Sequence, residues 1–157
     1  MSHAEEAMST DALFQLVEAG FLACDMGLPE QALAIFSGLA RVQPDIPHPV
    51  MHQAVVHARY GKVDQAIELL LGLQERFHDS HLVKAMLGMF FVQQEDPRAM
   101  ALLDEVLEDG TDAEAVAVAR SCYELARRQQ MGYLPYSSME SLQYFRSIER
   151  SRLGKCF

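Results

Sequence analysis

The chain has 157 residues and a mass of 17.6 kDa, with half of its residues apolar and 22% charged, which suits one globular core and excludes a disordered or fibrous chain. No apolar run reaches the ~18 residues that a membrane span requires, and the acidic start argues against a signal peptide. We therefore expect a cytoplasmic protein without an integral membrane segment, with a periplasmic location as the alternative.

Charge divides the chain into an acidic body and a basic tail. Residues 1–126 contain 7 Lys and Arg against 20 Asp and Glu, or −13, whereas residues 127–157 contain 6 against 2, or +4, and together they give the net charge of −9. Nucleic acid requires a positive surface, so this distribution argues against it as a partner. The three cysteines include no CxxC pair, which favours a reducing compartment over a disulfide framework or a zinc site.

Proline and glycine divide the sequence into helix-length segments, and almost none of it alternates with the period of two that a strand requires. The pattern predicts an all-α fold with helices over residues 11–26, 29–43, 48–60, 63–77, 80–94, 97–109, 112–130 and 138–152. Pro29 and Pro97 suit a first helical turn, where the missing N–H would have no partner anyway. Asp96 and Asp112 are placed to cap the exposed amides of the helices that follow them.

An internal period of 34 residues joins the predicted helices into pairs. Small residues recur at Gly20, Ala54 and Gly88, where two helices must approach closely, and Ala32 aligns with Ala66. The period gives three helix pairs, over about residues 13–46, 47–80 and 81–114.

The period and the small residues resemble the tetratricopeptide repeat (TPR), which has a small residue in its first helix, then an alanine, a bulky apolar residue and a proline. The first repeat contains all four, as Gly20, Ala32, Phe36 and Pro44. The third repeat keeps Gly88 but has Met100 and Asp104 where the alanine and the bulky residue belong. We therefore expect its second helix to pack differently.

A closer resemblance covers residues 29–120. It is carried by the segments PEQALAIFSGLARVQPDIP and YGKVDQAIELLLGLQERF and, most specifically, by KAMLGMFFVQQEDP followed by EVLEDGTDAEA. These segments resemble the short repeat-containing proteins of bacterial type III secretion gene clusters, closest to the HrpK-like family. The resemblance implies an accessory protein of the secretion apparatus, related in architecture to the TPR chaperones that hold needle or translocator subunits before export.

In a right-handed stack of helix pairs, the first helix of each pair lines the concave side. We call the predicted lining residues the first-helix face: Phe14, Val17, Phe21, Cys24, Met51, Val55, Ala58, Leu82, Ala85, Met89 and Val92. Nearly all are apolar, and a monomer rarely leaves a large apolar patch in water. The sequence therefore favours a partner-binding groove, and the alternative is an ordinary core.

The resemblance implies which partner such a groove would hold. It would be an amphipathic helix of a needle-like or translocator-like secretion subunit, with a small helical co-chaperone as a further candidate. A second copy of the chain is the other alternative, in which the protein is a structural or assembly component acting through self-association.

The C-terminal segment reads as a separate unit, so we divide the chain into a repeat domain over 1–130, whose last helix caps the stack, and a linker with a basic helix over 131–157. The apolar stripe of that helix consists of Met139, Leu142, Phe145 and Ile148. It is expected to dock on the body, either in its own chain or in a second one, and the alternative is that it binds a partner.

The sequence contains no pattern that points to catalysis or to a cofactor. Neither GxSxG nor HExxH occurs, and no glycine-rich phosphate loop is present. His52 and His81 have helical or turn spacings to His48 and His78 but no completing ligands, so we expect both at the surface. The acidic run over 102–115 is expected to be a solvated helix face. The sequence predicts neither an enzyme nor a metal site.

Overall fold

The computed structural model describes residues 8–130, which form helices and contain no strand. The helices are α1 Thr10–Asp25, α2 Pro29–Val42, α3 His48–Arg59, α4 Val63–Arg76, α5 His81–Gln93, α6 Arg98–Asp109 and α7 Ala113–Gln130. The all-α prediction is confirmed, and these helices begin and end within one or two residues of their predicted bounds. The predicted helix over 138–152 and the stripe residues Met139, Leu142, Phe145 and Ile148 lie outside the described residues.

Short polar side chains fix several helix starts. The hydroxyl oxygens of Ser9 and Ser80 accept hydrogen bonds from the amides of Ala12 and Val83 at 3.2 and 3.3 Å. A carboxylate oxygen of Asp112 likewise accepts from two amides in the first turn of α7. These bonds satisfy amides that have no partner within the helix, which is why the helices begin where they do.

The helices pack in sequential pairs. α1 packs on α2, α3 on α4 and α5 on α6, and each pair contacts the next through α2 with α3 and α4 with α5. The terminal helix α7 packs on both α5 and α6. The three predicted helix pairs and the terminal helix are therefore present, in an arrangement consistent with a helical repeat. None of the helices described between residues 8 and 130 has the length and apolar character needed to span a bilayer.

Glycine allows the two helices of a pair to approach closely. A Cβ atom built on Gly20 would lie 2.5 Å from the Phe36 ring, and one on Gly88 would lie 2.7 Å from Leu103. Real Cβ atoms do not approach neighbours this closely, so the backbone of each first helix is pressed against a large side chain of the second. The close helix contacts predicted at Gly20 and Gly88 are confirmed.

The third pair is one residue shorter than the others. Its buried second-helix residues are Ala99, Leu103 and Val106, whereas Met100 and Asp104 are exposed. The corresponding buried residues of the first two pairs are Ala32, Phe36 and Leu39, then Ala66, Leu70 and Leu73. Equivalent buried residues of the second helices are thus 34 residues apart between the first and second pairs, and 33 residues apart between the second and third pairs. The expectation that α6 packs differently is confirmed: Ala99 and Leu103 occupy the core positions at which a uniform 34-residue alignment wrongly puts Met100 and Asp104.

The same turn connects the two helices of every pair. The amides of Leu28, Lys62 and Asp96 donate to carbonyls five residues earlier, at 2.9, 2.9 and 2.8 Å. This hydrogen bond is typical of the Schellman motif that ends many helices, in which the residue before the donor adopts a left-handed backbone conformation. Gly27 and Gly61 hold that position with φ of 78° and 77°.

In the third pair the left-handed position is held by Glu95, with φ of 55°. A side chain in this conformation costs roughly 1–2 kcal/mol because its Cβ crowds the backbone. The hydrogen bond of the turn fixes the conformation regardless of residue type, so the third pair tolerates a strain that the first two avoid.

We predict that Gly20→Ala lowers the free energy of unfolding by about 1–3 kcal/mol, because the added methyl group overlaps the Phe36 ring. Gly38→Ala is the matched control: nothing lies within 4 Å of a Cβ there, so alanine should stabilise helix α2 by roughly 0.5–1 kcal/mol. Urea unfolding followed by circular dichroism measures both. Equal effects of the two substitutions would contradict the close approach.

We also predict that Glu95→Gly raises the free energy of unfolding by roughly 0.5–1 kcal/mol. Glycine removes the strain of the left-handed conformation, and the greater entropy of glycine in the unfolded chain offsets part of that gain. The converse change, Gly61→Ala, should lower it by about 1 kcal/mol at the equivalent turn. Thermal unfolding of both variants tests the pair. A destabilised Glu95→Gly protein would mean that the Glu95 side chain contributes more than the strain costs.

Candidate partner-binding face

Most of the first-helix face is buried. The structure places nine of its eleven residues in one continuous core cluster, namely Phe21, Cys24, Met51, Val55, Ala58, Leu82, Ala85, Met89 and Val92. Phe14 and Val17, both on α1, are half-buried. The predicted residues thus come together, and their accessible part lies at the first turns of α1. Whether they bind a partner stays a prediction.

Contacts between α1 and α3 show that the first two pairs stack in register. The Arg59 guanidinium donates to the Asp25 carboxylate at 2.5 Å, and these two residues are one repeat apart. The Tyr60 hydroxyl donates to the Cys24 carbonyl at 2.7 Å. Together these bonds fix the C-terminal end of α1 beside the C-terminal end of α3, and they bring the two parts of the first-helix face side by side.

An aromatic cluster joins the first pair to the second. The rings of Phe21, Phe36 and His52 lie with their centroids 5.0–5.3 Å apart and their planes tilted or edge-on, which is the favourable geometry for aromatic pairs. His52 is 2% exposed, so the expectation that it lies at the surface was wrong. His52 is buried because it packs between the rings of Phe21 and Phe36. The spacing of histidines in the sequence does not predict such a contact.

The helix α5 is covered on most sides. All but three of its thirteen residues are buried, since α4, α6 and α7 pack against it. Lys84 reaches its edge and donates to the Glu105 carboxylate of α6 at 2.5 Å. Small buried residues of α7, among them Ala115, Ala119 and Cys122, allow that helix to lie close. The apolar sequence of α5 is therefore explained largely as core, which was the alternative interpretation for this part of the face.

Sequence reasoning missed an exposed apolar stripe on α1. Leu16, Ala19 and Leu22 of α1 and Met26, which caps the C-terminal end of α1, lie three or four positions apart and are all exposed. Leu22 and Met26 are 57% and 67% exposed. The spacing is readable in the sequence, but it is obscured because apolar residues cover both sides of this helix. We call these four residues the outer stripe.

Between residues 8 and 130, no group of three or more His, Cys, Asp or Glu side chains is placed to hold a metal ion. Within the acidic run, Asp104, Glu105, Glu108 and Asp109 are exposed, as expected for a solvated face. Hydrogen bonds from Thr111 lower the pKa of Asp109, and burial lowers the pKa of His57. These shifts have structural causes and require no substrate.

Comparison with known protein families gives a match for this chain. A sequence profile described as "Bacterial type III secretion protein (HrpB1_HrpK)" matches residues 3–130. The chain belongs to this family of type III secretion proteins. The match spans the helix pairs and α7, and it ends before residues 131–157. No curated protein sequence and no solved structure matches the chain.

We predict that N-ethylmaleimide leaves Cys24 and Cys122 unmodified in the native protein and labels both after denaturation. Both thiols are about 2% exposed, and burial raises the pKa of Cys122 to about 12, so the reactive thiolate is scarce. Peptide mass spectrometry after timed labelling measures each site separately. Rapid native labelling of Cys24 would show that this part of the first-helix face is open.

Proposed function

We propose that this type III secretion protein is a non-enzymatic cytoplasmic chaperone or adaptor. The accessible end of its first-helix face, at Phe14 and Val17, would bind an amphipathic helix of a needle-like or translocator-like subunit and prevent that subunit from assembling before export. The binding energy would come from burial of apolar surface, at roughly 25 cal/mol per Å², much of it offset by ordering and association costs. A small helical co-chaperone is a further candidate for the same face.

The observation that supports this proposal is the position of Phe14 and Val17. Both side chains are half-buried at the beginning of α1, where they continue the buried cluster formed by Phe21 and Cys24. A guest helix placed there would extend an existing apolar core rather than create a new one. This geometry is typical of helix-in-groove recognition, in which apolar residues of the guest insert at spacings of three and four.

Val17→Glu should weaken client binding by at least about 100-fold, because a buried, unpaired carboxylate costs roughly 3 kcal/mol or more. The experiment co-expresses the chain with the small helical subunits of its own gene cluster and measures co-purification. Leu22→Glu is the matched control, since it adds the same charge to α1 on a side that is already exposed. Unchanged client binding by Val17→Glu, with its helix content intact, would exclude this face.

The outer stripe supports a second candidate function, that of an assembly component acting through self-association. The stripe lies on the first helix of the stack, where a solenoid ordinarily presents a polar surface. Two such stripes meeting would cover each other's leucine and methionine side chains. The same variants separate the two functions, because Leu22→Glu should reduce the mass measured by light scattering to that of a monomer, whereas Val17→Glu should leave an oligomer intact.

A further inference from the structure

We propose that the outer stripe is the stacking surface of a repeat, and that the same stripe of a second copy of the chain covers it in a closed dimer. The inference rests on the assembly function proposed above and specifies its surface and its stoichiometry. It starts from the 34-residue period, which assigns each stripe residue an equivalent in the later pairs. Leu22, for example, is equivalent to Val56 on α3 and to Phe90 on α5.

The equivalent positions on α3 face the preceding pair. The Ser37 hydroxyl of α2 donates to the Gln53 side chain of α3 at 3.4 Å. The Tyr60 hydroxyl, at the end of α3, donates to the Cys24 carbonyl of α1 at 2.7 Å. Val56 lies on the same side of α3 as Gln53 and Tyr60, since the three residues are separated by three and four positions. The second pair therefore stacks on the first through this row of residues.

Burial shows what stacking does to such a row. Val56 and Phe90 are each 1% exposed, and both belong to helices that follow another pair. Leu22 is 57% exposed, because α1 is the first helix of residues 8–130 and no pair described there lies before it. The outer stripe is therefore a repeat-stacking surface that stays exposed.

The stripe differs from its equivalents in its hydrogen-bonding groups. Gln53 and Tyr60, which bond to polar atoms of the first pair, correspond to Ala19 and Met26 on the stripe. Neither alanine nor methionine has a strong hydrogen-bonding group, so the stripe has none with which to recognise the polar atoms of another repeat. An apolar, uncharged surface of this kind is covered best by another one, and a second outer stripe provides it.

The other end of the stack argues against copies joining end to end. There α7 packs on both α5 and α6, so the stacking surface of the third pair is already covered. The outward side of α7 is polar, with Arg120, Glu124, Arg127 and Arg128 exposed. In the part of the chain that the structure describes, an outer stripe therefore finds its apolar counterpart in another outer stripe. Because both copies then use the same surface, the assembly closes at two copies.

The size of the stripe sets the expected affinity. The helix α1 has 16 residues and therefore spans about 24 Å. A stripe of this length and one helix in width, about 10 Å, covers much less than the roughly 800 Å² per partner of a standard interface. We therefore expect a weak dimer, with a Kd on the order of 10 µM.

Cross-linking of the full-length protein tests the surface. Ala19→Cys places a thiol in the outer stripe, and Ala34→Cys places the same thiol on the exposed side of α2. Both variants also carry Cys156→Ser, and the thiols of Cys24 and Cys122 are buried.

A short bismaleimide should join two Ala19→Cys chains at least about tenfold faster than two Ala34→Cys chains at a protein concentration of about 100 µM. The reason is that two thiols held together in one dimer have an effective concentration in the millimolar range. Light scattering of the unaltered protein at the same concentration should give the mass of a dimer and nothing larger.

Three results would overturn the inference. A dimer whose Ala19→Cys chains cross-link no faster than the Ala34→Cys control would leave the assembly function standing on another surface. Masses that grow beyond the dimer with concentration would show an open array. A monomer at every concentration would exclude the assembly function together with this inference. None of these results bears on client binding at Phe14 and Val17, because no client enters the experiment.

Discussion

The close approach of two helices within each pair is the constraint on which the rest of the structure depends. Phe36 lies directly against the backbone of Gly20, and Leu103 lies against that of Gly88. Where two helices lie this close, one of them must have almost no side chain at the contact, and only glycine or alanine meets that requirement. Once each pair is fixed, the turn between its helices and the stacking of the next pair follow with little freedom, and most apolar side chains of the first helices are brought into one continuous core cluster.

The sequence was sufficient to predict the helices because their boundaries have local causes. Serine, aspartate and proline mark the starts, and Gly27 and Gly61 mark two of the turns. The third turn has no glycine, and Glu95 there is left-handed only because the surrounding hydrogen bonds require it. The shift of one residue in α6 was not predictable from the 34-residue period, since a period assumes equal repeats and the choice between Met100 and Ala99 depends on contacts with α5.

The candidate site was only partly accessible to sequence reasoning. An apolar pattern predicts that a residue will be buried, but it does not predict which element buries it. Met89 and Val55 were predicted to line a groove, and both lie in the core cluster. His52 was misplaced for a related reason: its neighbours in space, Phe21 and Phe36, are distant in the chain. The outer stripe was overlooked because α1 carries apolar residues on both sides, so its amphipathic pattern is weak.

The shorter third pair also determines how the array ends. The position that holds Leu70 in the second pair falls on Asp104 one full repeat later, and the missing residue turns this aspartate outward. There its carboxylate accepts a hydrogen bond from the Tyr123 hydroxyl of α7. Because the first two pairs bury an apolar side chain at this position, neither has such an anchor. Duplication of an internal repeat would therefore not recreate this hydrogen bond to α7.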